Sequence, residues 1–305
     1  MEGFIYEHKL ESRVTGENSK NPGTPFIMGT LDIATDNALT NIVSVHFTYV
    51  TATTSSGKSN ATYTILKDII DGKYATVMGG GNAAKVRIDS AIGLNEFYTD
   101  RNGKEELISA KRNEGGFVHI VDAIAENESE RNTFKVDMVI TGVTRREADP
   151  EKNLPEVGII KGCVFDFRNA VLPVEFSATN PGAIDYFESL DASPKTPIFT
   201  KVWGKQISQT ITRTITEESA FGEDSIRTVS STRRDWVITG CQKEPYTFGE
   251  TDDDLSAADL KKAMSDREIY LADVKKRQDD YKASKTAAAP ASATSAMNTT
   301  GGFNF

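Results

Sequence analysis

The feature that most restricts the fold is a layout of short strands around one helix, which occurs twice along the chain. The strand signal is clearest at 41–51, where Val43, Val45, Phe47 and Tyr49 alternate with polar residues, the period of a half-buried strand. About five short strands with one helix after the third is an OB-fold layout. The sequence therefore predicts a mainly β protein with two OB-fold-like β-barrels in tandem, although the first half offers one strand fewer before its helix.

Changes in composition divide the chain further. An Ala-, Asp- and Lys-rich stretch at 255–282 carries a thin apolar stripe typical of a helix, formed by Leu260, Met264, Leu271 and Val274. The residues after it have low complexity and bury too little to fold. We predict four regions: a first barrel, a second barrel, an acidic segment with an amphipathic helix, and a disordered tail, at 1–127, 128–250, 251–284 and 285–305.

Charge and cysteine content bound the class of protein. The 305 residues carry a net charge of −9, with acidity concentrated at 126–130 and after residue 246. The rest of the chain is close to neutral and can still hold a basic groove, because the local electrostatic field at a binding site matters more than the net charge of the protein. No apolar run approaches the roughly 18 residues of a membrane span, and the first residues do not resemble a secretory signal. Two cysteines are too few for a disulfide framework or a zinc site. We expect a cytoplasmic protein with no membrane partner.

The most informative stretch is Pro197–Lys205. Read as a strand, it places Phe199, Lys201, Trp203 and Lys205 on one face. Aromatic rings stack on bases of any sequence while cations contact the phosphates between them, which is the combination that a single-stranded DNA groove needs. The alternative buries Trp203 in the core and leaves both lysines at a solvated rim.

Two further groups repeat this pattern. Arg233, Arg234 and Trp236 introduce the last strand of the second half, and Lys111 with Arg112 introduce the last strand of the first half. All five are candidate DNA-binding residues. The alternative for Trp236 is a core tryptophan beside surface arginines.

The sequence offers little for catalysis. Gly57-Lys58-Ser59 follows a strand as a phosphate-binding loop would, but Ala52 stands where that loop needs glycine. The three histidines share no metal or triad spacing with cysteine or carboxylate residues. We therefore predict a protein that is not an enzyme, with no cofactor, no metal and no small-molecule substrate.

The C-terminus carries a separate signal. Residues 282–302 contain no aromatic side chain and are followed by Phe303 and Phe305. Two phenylalanines on a flexible tether suit insertion into pockets on other proteins. The alternative is a solubilising tail that ends in apolar residues by chance.

Together these motifs resemble the single-stranded DNA-binding proteins of tailed bacteriophages. The resemblance rests on the segment Gly162–Phe176, the Phe199–Lys205 strand, and the order of OB-fold body, acidic segment, linker and aromatic tip. It implies non-sequence-specific binding of single-stranded DNA in phage replication and recombination, within the host cytoplasm. It also implies recruitment of replication or recombination proteins by the tip. Related tips are acidic, whereas residues 301–305 contain no Asp or Glu.

Two other function classes fit parts of the sequence. A phage structural or assembly protein would use β-rich domains and a tail for protein contacts alone. A strand-annealing recombination protein would be more helical. The alternation of rings and cations in Phe199–Lys205 favours the single-strand binder, because a structural protein has no need of it.

Overall fold

The chain forms two β-barrels followed by a long helix. The computed structural model describes residues 1–149, 155–217, 219–222, 224–250 and 255–288. In this part of the chain, no helix is long and apolar enough to cross a membrane. The mainly β, two-barrel fold predicted from the sequence is confirmed.

The first barrel is built from five strands, with a sixth short strand at its edge. Its elements are β1 (Glu2–His8), β2 (Glu11–Val14), β3 (Pro25–Ala34), β4 (Ile42–Thr51), α1 (Ala61–Ile70), β5 (Lys85–Arg101) and β6 (Lys104–Val121). The strand order in the sheet is β1-β5-β6-β4-β3, and a β1–β3 pairing closes the barrel. The short strand β2 pairs alongside the first half of β3. The β4–β6 pair is parallel and the other pairs are antiparallel.

The second barrel repeats the same topology. A short helix, α2 (Glu128–Arg131), connects the barrels. The elements that follow are β7 (Thr133–Arg146), β8 (Val157–Phe165), β9 (Val171–Ala178), α3 (Pro181–Ser189), β10 (Ile198–Glu217) and β11 (Ser225–Cys241). The ring order is β10-β11-β9-β8-β7, again with one parallel pair, β9–β11. In both barrels the helix lies between the third and fourth strands of the fold.

Local sequence explains where these helices begin and end. The Asn60 side chain accepts a hydrogen bond from the backbone N–H of Thr62 and so caps α1. Gly72, with a φ of +72°, allows the turn after its end. The Asn180 side chain caps α3, and Pro181 occupies its first turn, where a missing N–H costs nothing.

Two sequence expectations need correction here. The strand that the first half lacked is β1, at the very start of the described chain, where no strand was predicted. The last helix, α4 (Ala257–Ala288), continues past residue 285 into the stretch predicted to be a disordered tail. The rest of that predicted tail, 289–305, lies outside the described residues, as does most of the acidic stretch before α4.

Buried amides join the two barrels. The side chains of Asn113 in β6 and Gln206 in β10 exchange two hydrogen bonds of 2.8 Å each. The Asn41 amide donates to the backbone carbonyl of Gln206 at 3.2 Å, and its Oδ1 accepts from the Ser208 backbone N–H at 2.6 Å. Asn132 also donates to the Gln206 carbonyl. Because buried polar groups are costly to leave unpaired, this network fixes one barrel against the other.

Candidate nucleic-acid interface

The strand β10 presents its predicted face on the outside of the second barrel. Thr200, Val202 and Gln206 point into the buried interior, so Phe199, Lys201, Trp203 and Lys205 lie outside. Trp203 is 40% exposed. The alternative that placed it in the core therefore does not hold.

Trp203 lies among cations on this face. Lys135 of β7 is its direct cross-strand partner and is exposed. Lys201 and Lys205 stand two residues to either side along β10, about 7 Å away in an extended strand. The indole lies against Gly240 of β11, where a Cβ would come too close to its ring. We call Trp203, Lys135, Lys201 and Lys205 the Trp203 face.

The lysines of this face differ in their surroundings. Lys201 Nζ lies 3.4 Å from Asp137 Oδ1 and 5.7 Å from the centre of the Tyr246 ring. A hydrogen bond to Tyr246, together with the Asp137 charge, raises the pKa of Lys201 above its ordinary value. Within the described residues, Lys135 and Lys205 form no ion pair, which leaves their ammonium groups available to a phosphate.

Phe199 shares the strand face but its ring is covered. It lies 4.9 Å from the Tyr246 ring and 5.6 Å from the Phe248 ring, centre to centre. Leu255 and Leu260 pack in the same cluster. The chain that follows the barrel therefore occupies the ring surface that a base would need.

Trp236 belongs to the core of the second barrel. It is 7% exposed, and its ring centre lies 5.3 Å from that of Phe134 and 6.0 Å from that of Phe176. The expectation that it stacks on DNA is corrected, because an enclosed ring offers no face to a base. Its neighbour Arg234 is exposed, while the side chain of Arg233 lies outside the described residues.

Lys111 and Arg112 also have partners within the protein. Lys111 Nζ donates to the backbone carbonyl of Glu175 and lies 5.5 Å from the centre of the Phe176 ring, so it ties β6 of the first barrel to β9 of the second. Burial there lowers the pKa of Lys111. Arg112 Nε lies 2.5 Å from Glu114 Oε1. Phe303 and Phe305 are outside the described residues.

The surface that an OB-fold commonly offers to a nucleic acid is closed in the second barrel. That surface is formed by the second and third strands, here β8 and β9. Lys111 bonds to the β9 backbone, Arg267 of α4 donates to the Val171 carbonyl at 3.1 Å, and Cys163 and Val171 are buried beneath the start of α4. Open cationic surface is found instead beside Trp203.

Two clefts adjoin the Trp203 face, and sequence reasoning missed both. The larger, of about 760 Å³, runs between β7 and α4 and is lined by Lys135, Asp137, Arg168 and Asp266 among others. We call it the β7 cleft. The second, of about 420 Å³, lies between the barrels and includes Asn113, Phe167 and Gln206. We call it the inter-barrel cleft. Lys135 and Phe165 line both.

Candidate metal ligands are not clustered in the part of the chain that the structure describes. There, no three His, Cys, Asp or Glu side chains are grouped so that they could hold an ion. Both cysteines are free thiols, and burial raises the pKa of Cys163 to about 11, which keeps it a thiol.

Comparison with known proteins supplies the family. The YorF family model matches residues 2–277. The chain belongs to the YorF family. No curated protein matches the sequence closely enough to be counted a relative. Among solved structures, this YorF-family chain is similar to a deletion mutant of the single-stranded DNA-binding protein from Thermus aquaticus. That match has 11% sequence identity and a TM-score of 0.44, and covers 82% of this chain and 95% of the other. A likeness this distant supports no inference about function.

Proposed function

We propose that this YorF-family chain binds single-stranded DNA without sequence preference on the Trp203 face of its second barrel. The observation that carries the proposal is a half-exposed indole on the barrel exterior with Lys135, Lys201 and Lys205 around it. A ring in this setting stacks on any base for about 1–3 kcal/mol. The lysines neutralise phosphates on either side of the stacked base, and their contribution weakens as salt rises.

The biological setting that we propose is phage DNA replication and recombination, in which bound protein protects displaced strands. Support comes from the resemblance of the Gly162–Phe176 and Phe199–Lys205 segments to phage single-strand binders. In this proposal the DNA is bound without chemical change, through stacking on the Trp203 ring and phosphate contacts from the ammonium groups.

Titration with oligo-dT at two salt concentrations tests the proposal. Trp203→Ala should weaken binding by about 1–3 kcal/mol and keep most of the salt dependence. Lys135→Gln should weaken binding and reduce the slope of log K against log salt by about 0.7. Lys73→Gln is the matched control, because Lys73 lies on the first barrel paired with Asp68. If the wild-type protein shows no salt-dependent binding, the proposed function is wrong.

A function in protein contacts alone is the second candidate, and one observation favours it. At the tip of the β10–β11 hairpin, Phe221 is 91% exposed and Ile226 is 71% exposed. An apolar tip on a projecting hairpin suits a protein partner. The double variant Phe221→Ser with Ile226→Ser separates the two functions. If the tip is a protein contact, this variant should keep its oligo-dT affinity and lose assembly with the protein partner.

Partner recruitment by the C-terminus stays a proposal of its own. Deletion of Phe303–Phe305 should leave the DNA affinity unchanged and abolish binding to a replication or recombination protein. A sharp fall in DNA affinity on this deletion would instead make the tip part of the DNA site.

A further inference from the structure

The turn between β8 and β9 holds an aromatic side chain out into solvent. Phe167 is 85% exposed, and the guanidinium carbon of Arg168 lies 4.9 Å from the centre of its ring. Single exposed apolar residues are common on protein surfaces and carry little meaning alone. Phe167 differs in two respects: the Arg168 cation lies beside its ring, and the turn adjoins both the β7 cleft and the inter-barrel cleft.

The backbone of this turn is held by several hydrogen bonds. Asp166 Oδ1 accepts hydrogen bonds from the backbone N–H groups of Arg168 and Ala170, each at 2.8 Å. The Asp166 N–H donates to the Ala170 carbonyl at 3.1 Å, and Asn169 adopts a left-handed φ of 60°, which asparagine tolerates. A ring held outward by a fixed backbone binds a flat partner with little loss of entropy.

The turn also separates the two clefts. Phe167 lines the inter-barrel cleft, whereas Arg168 lines the β7 cleft. Lys135 lines both and is the cross-strand neighbour of Trp203. A path from Trp203 past Lys135 therefore meets Phe167 and Arg168 before it enters the space between the barrels.

Charge distinguishes the two walls of the β7 cleft. Lys135, Arg168 and Asp137 lie on the barrel side, for a net charge of +1, while Asp259, Asp266 and Lys262 belong to α4 on the other side, for a net charge of −1. This difference in net charge favours a phosphate on the barrel wall over the helix wall. The path beside the turn is therefore the one that suits an anionic strand.

We propose that the Phe167–Arg168 turn is a second contact site for the same single strand. A base stacks on Phe167, and the phosphates on either side of it lie against Arg168 and Lys135. The strand thus runs from the Trp203 face into the inter-barrel cleft. This inference rests on the proposed function and adds a binding site to it.

A tryptophan reporter tests the site directly. In a Trp203→Phe background, the only remaining native indole is the buried Trp236. Phe167→Trp in this background should lose fluorescence as oligo-dT is added, because the new indole stacks on a base. Phe117→Trp is the matched control, since Phe117 is 69% exposed and lines neither cleft. Its fluorescence should not change.

Affinity measurements in the otherwise wild-type protein give a second readout. Phe167→Ala should weaken oligo-dT binding by about 5- to 150-fold, the effect of one lost stacking contact, and Phe117→Ala should leave it unchanged. Arg168→Gln should reduce the salt slope by about 0.7.

The outcomes separate this inference from the proposed function. If Trp203→Ala weakens binding while Phe167→Ala does not, and the indole at 167 is not quenched, the second contact site is wrong and the proposed function stands. If the wild-type protein does not bind oligo-dT, both are wrong.

Discussion

The two tryptophans have opposite environments, so their substitution should have opposite effects. Trp236 packs against Phe134 and Phe176 in the core, and replacing a buried aromatic residue with alanine costs about 3–5 kcal/mol. We expect Trp236→Ala to lower the free energy of unfolding by that amount. Trp203→Ala should change it little, because its ring is half-exposed and its loss leaves no internal cavity. Urea unfolding of both variants measures the difference.

Oligo-dT binding completes the comparison. A Trp203→Ala protein that is folded but binds oligo-dT weakly would support the proposal that the Trp203 face binds DNA. Unfolding of Trp203→Ala under conditions where Trp236→Ala stays folded would contradict the assignment of the two rings.

His46 should make stability depend on pH. Its pKa is held below the ordinary 6.5, chiefly by burial and then by the Arg112 charge. Below pH 6.5 the unfolded state therefore binds a proton that the folded state does not. Stability falls as the pH falls from 6.5 through the folded pKa. His46→Gln should lose less stability than the wild type between pH 7 and pH 5 in urea titrations. An unchanged pH dependence would show that His46 does not contribute.

Sequence alone could predict which side chains share a face of β10, but not whether each of them is exposed or covered. Period-two alternation placed Phe199 and Trp203 together because strand geometry is local. The chain that covers Phe199, including Tyr246 and Phe248, comes from more than forty residues away, so no local pattern indicated it. Likewise, Trp203 and Trp236 both lie in strands with basic residues close by in the sequence. Only the closed barrel decides which ring is inside.

At the scale of the element, α4 is bound to both barrels. The Arg267 guanidinium lies 2.5 Å from Glu96 Oε1 of β5, with side chains 9% and 2% exposed. Gln278 accepts from the Tyr98 N–H at 2.8 Å and donates to the Tyr98 carbonyl. Leu260 packs near Phe199 at the other end. The helix is therefore held against both barrels by specific polar contacts as well as by its apolar side chains.

Removal of Arg267 should release this helix. Arg267→Ala leaves the Glu96 carboxylate buried without its cation, a change that costs about 3–5 kcal/mol. Proteolysis within α4 should become much faster. Arg277→Ala is the matched control, because Arg277 is largely exposed and lies 3.9 Å from Asp273 of the same helix. Exposed pairs contribute little. Equal proteolysis rates in the two variants would contradict the role of the buried pair.

Elements with strong signals were predicted well, and the exceptions have physical causes. The alternating strand β4 lies where the sequence indicated. The strand β1 was missed because its neighbours β3 and β5 are distant in sequence, and only their pairing makes it a strand. In α4, Leu260, Leu271 and Val274 are partly covered, but Met264 of the predicted stripe is 46% exposed.

At the scale of the molecule, the barrels are coupled through the buried pair Asn113 and Gln206. Sequence gave no indication of this pair, because two amides 93 residues apart carry no periodic signal. Its consequence is that the inter-barrel cleft has a fixed shape. A DNA strand that crosses from the Trp203 face toward the first barrel would then meet one rigid surface.

Uncoupling the barrels should therefore be visible in unfolding. Gln206→Leu keeps the size of the side chain but leaves the buried Asn113 Oδ1 without its donor, at a cost of about 1–3 kcal/mol. Both tryptophans lie in the second barrel, so fluorescence reports that barrel alone, while circular dichroism reports both. In the wild type the two transitions should coincide, as they do for one cooperative unit. In Gln206→Leu they should separate, whereas Gln242→Leu, at a position remote from the amide pair, should keep them together. Coincident transitions in Gln206→Leu would mean that the amide pair does not couple the barrels.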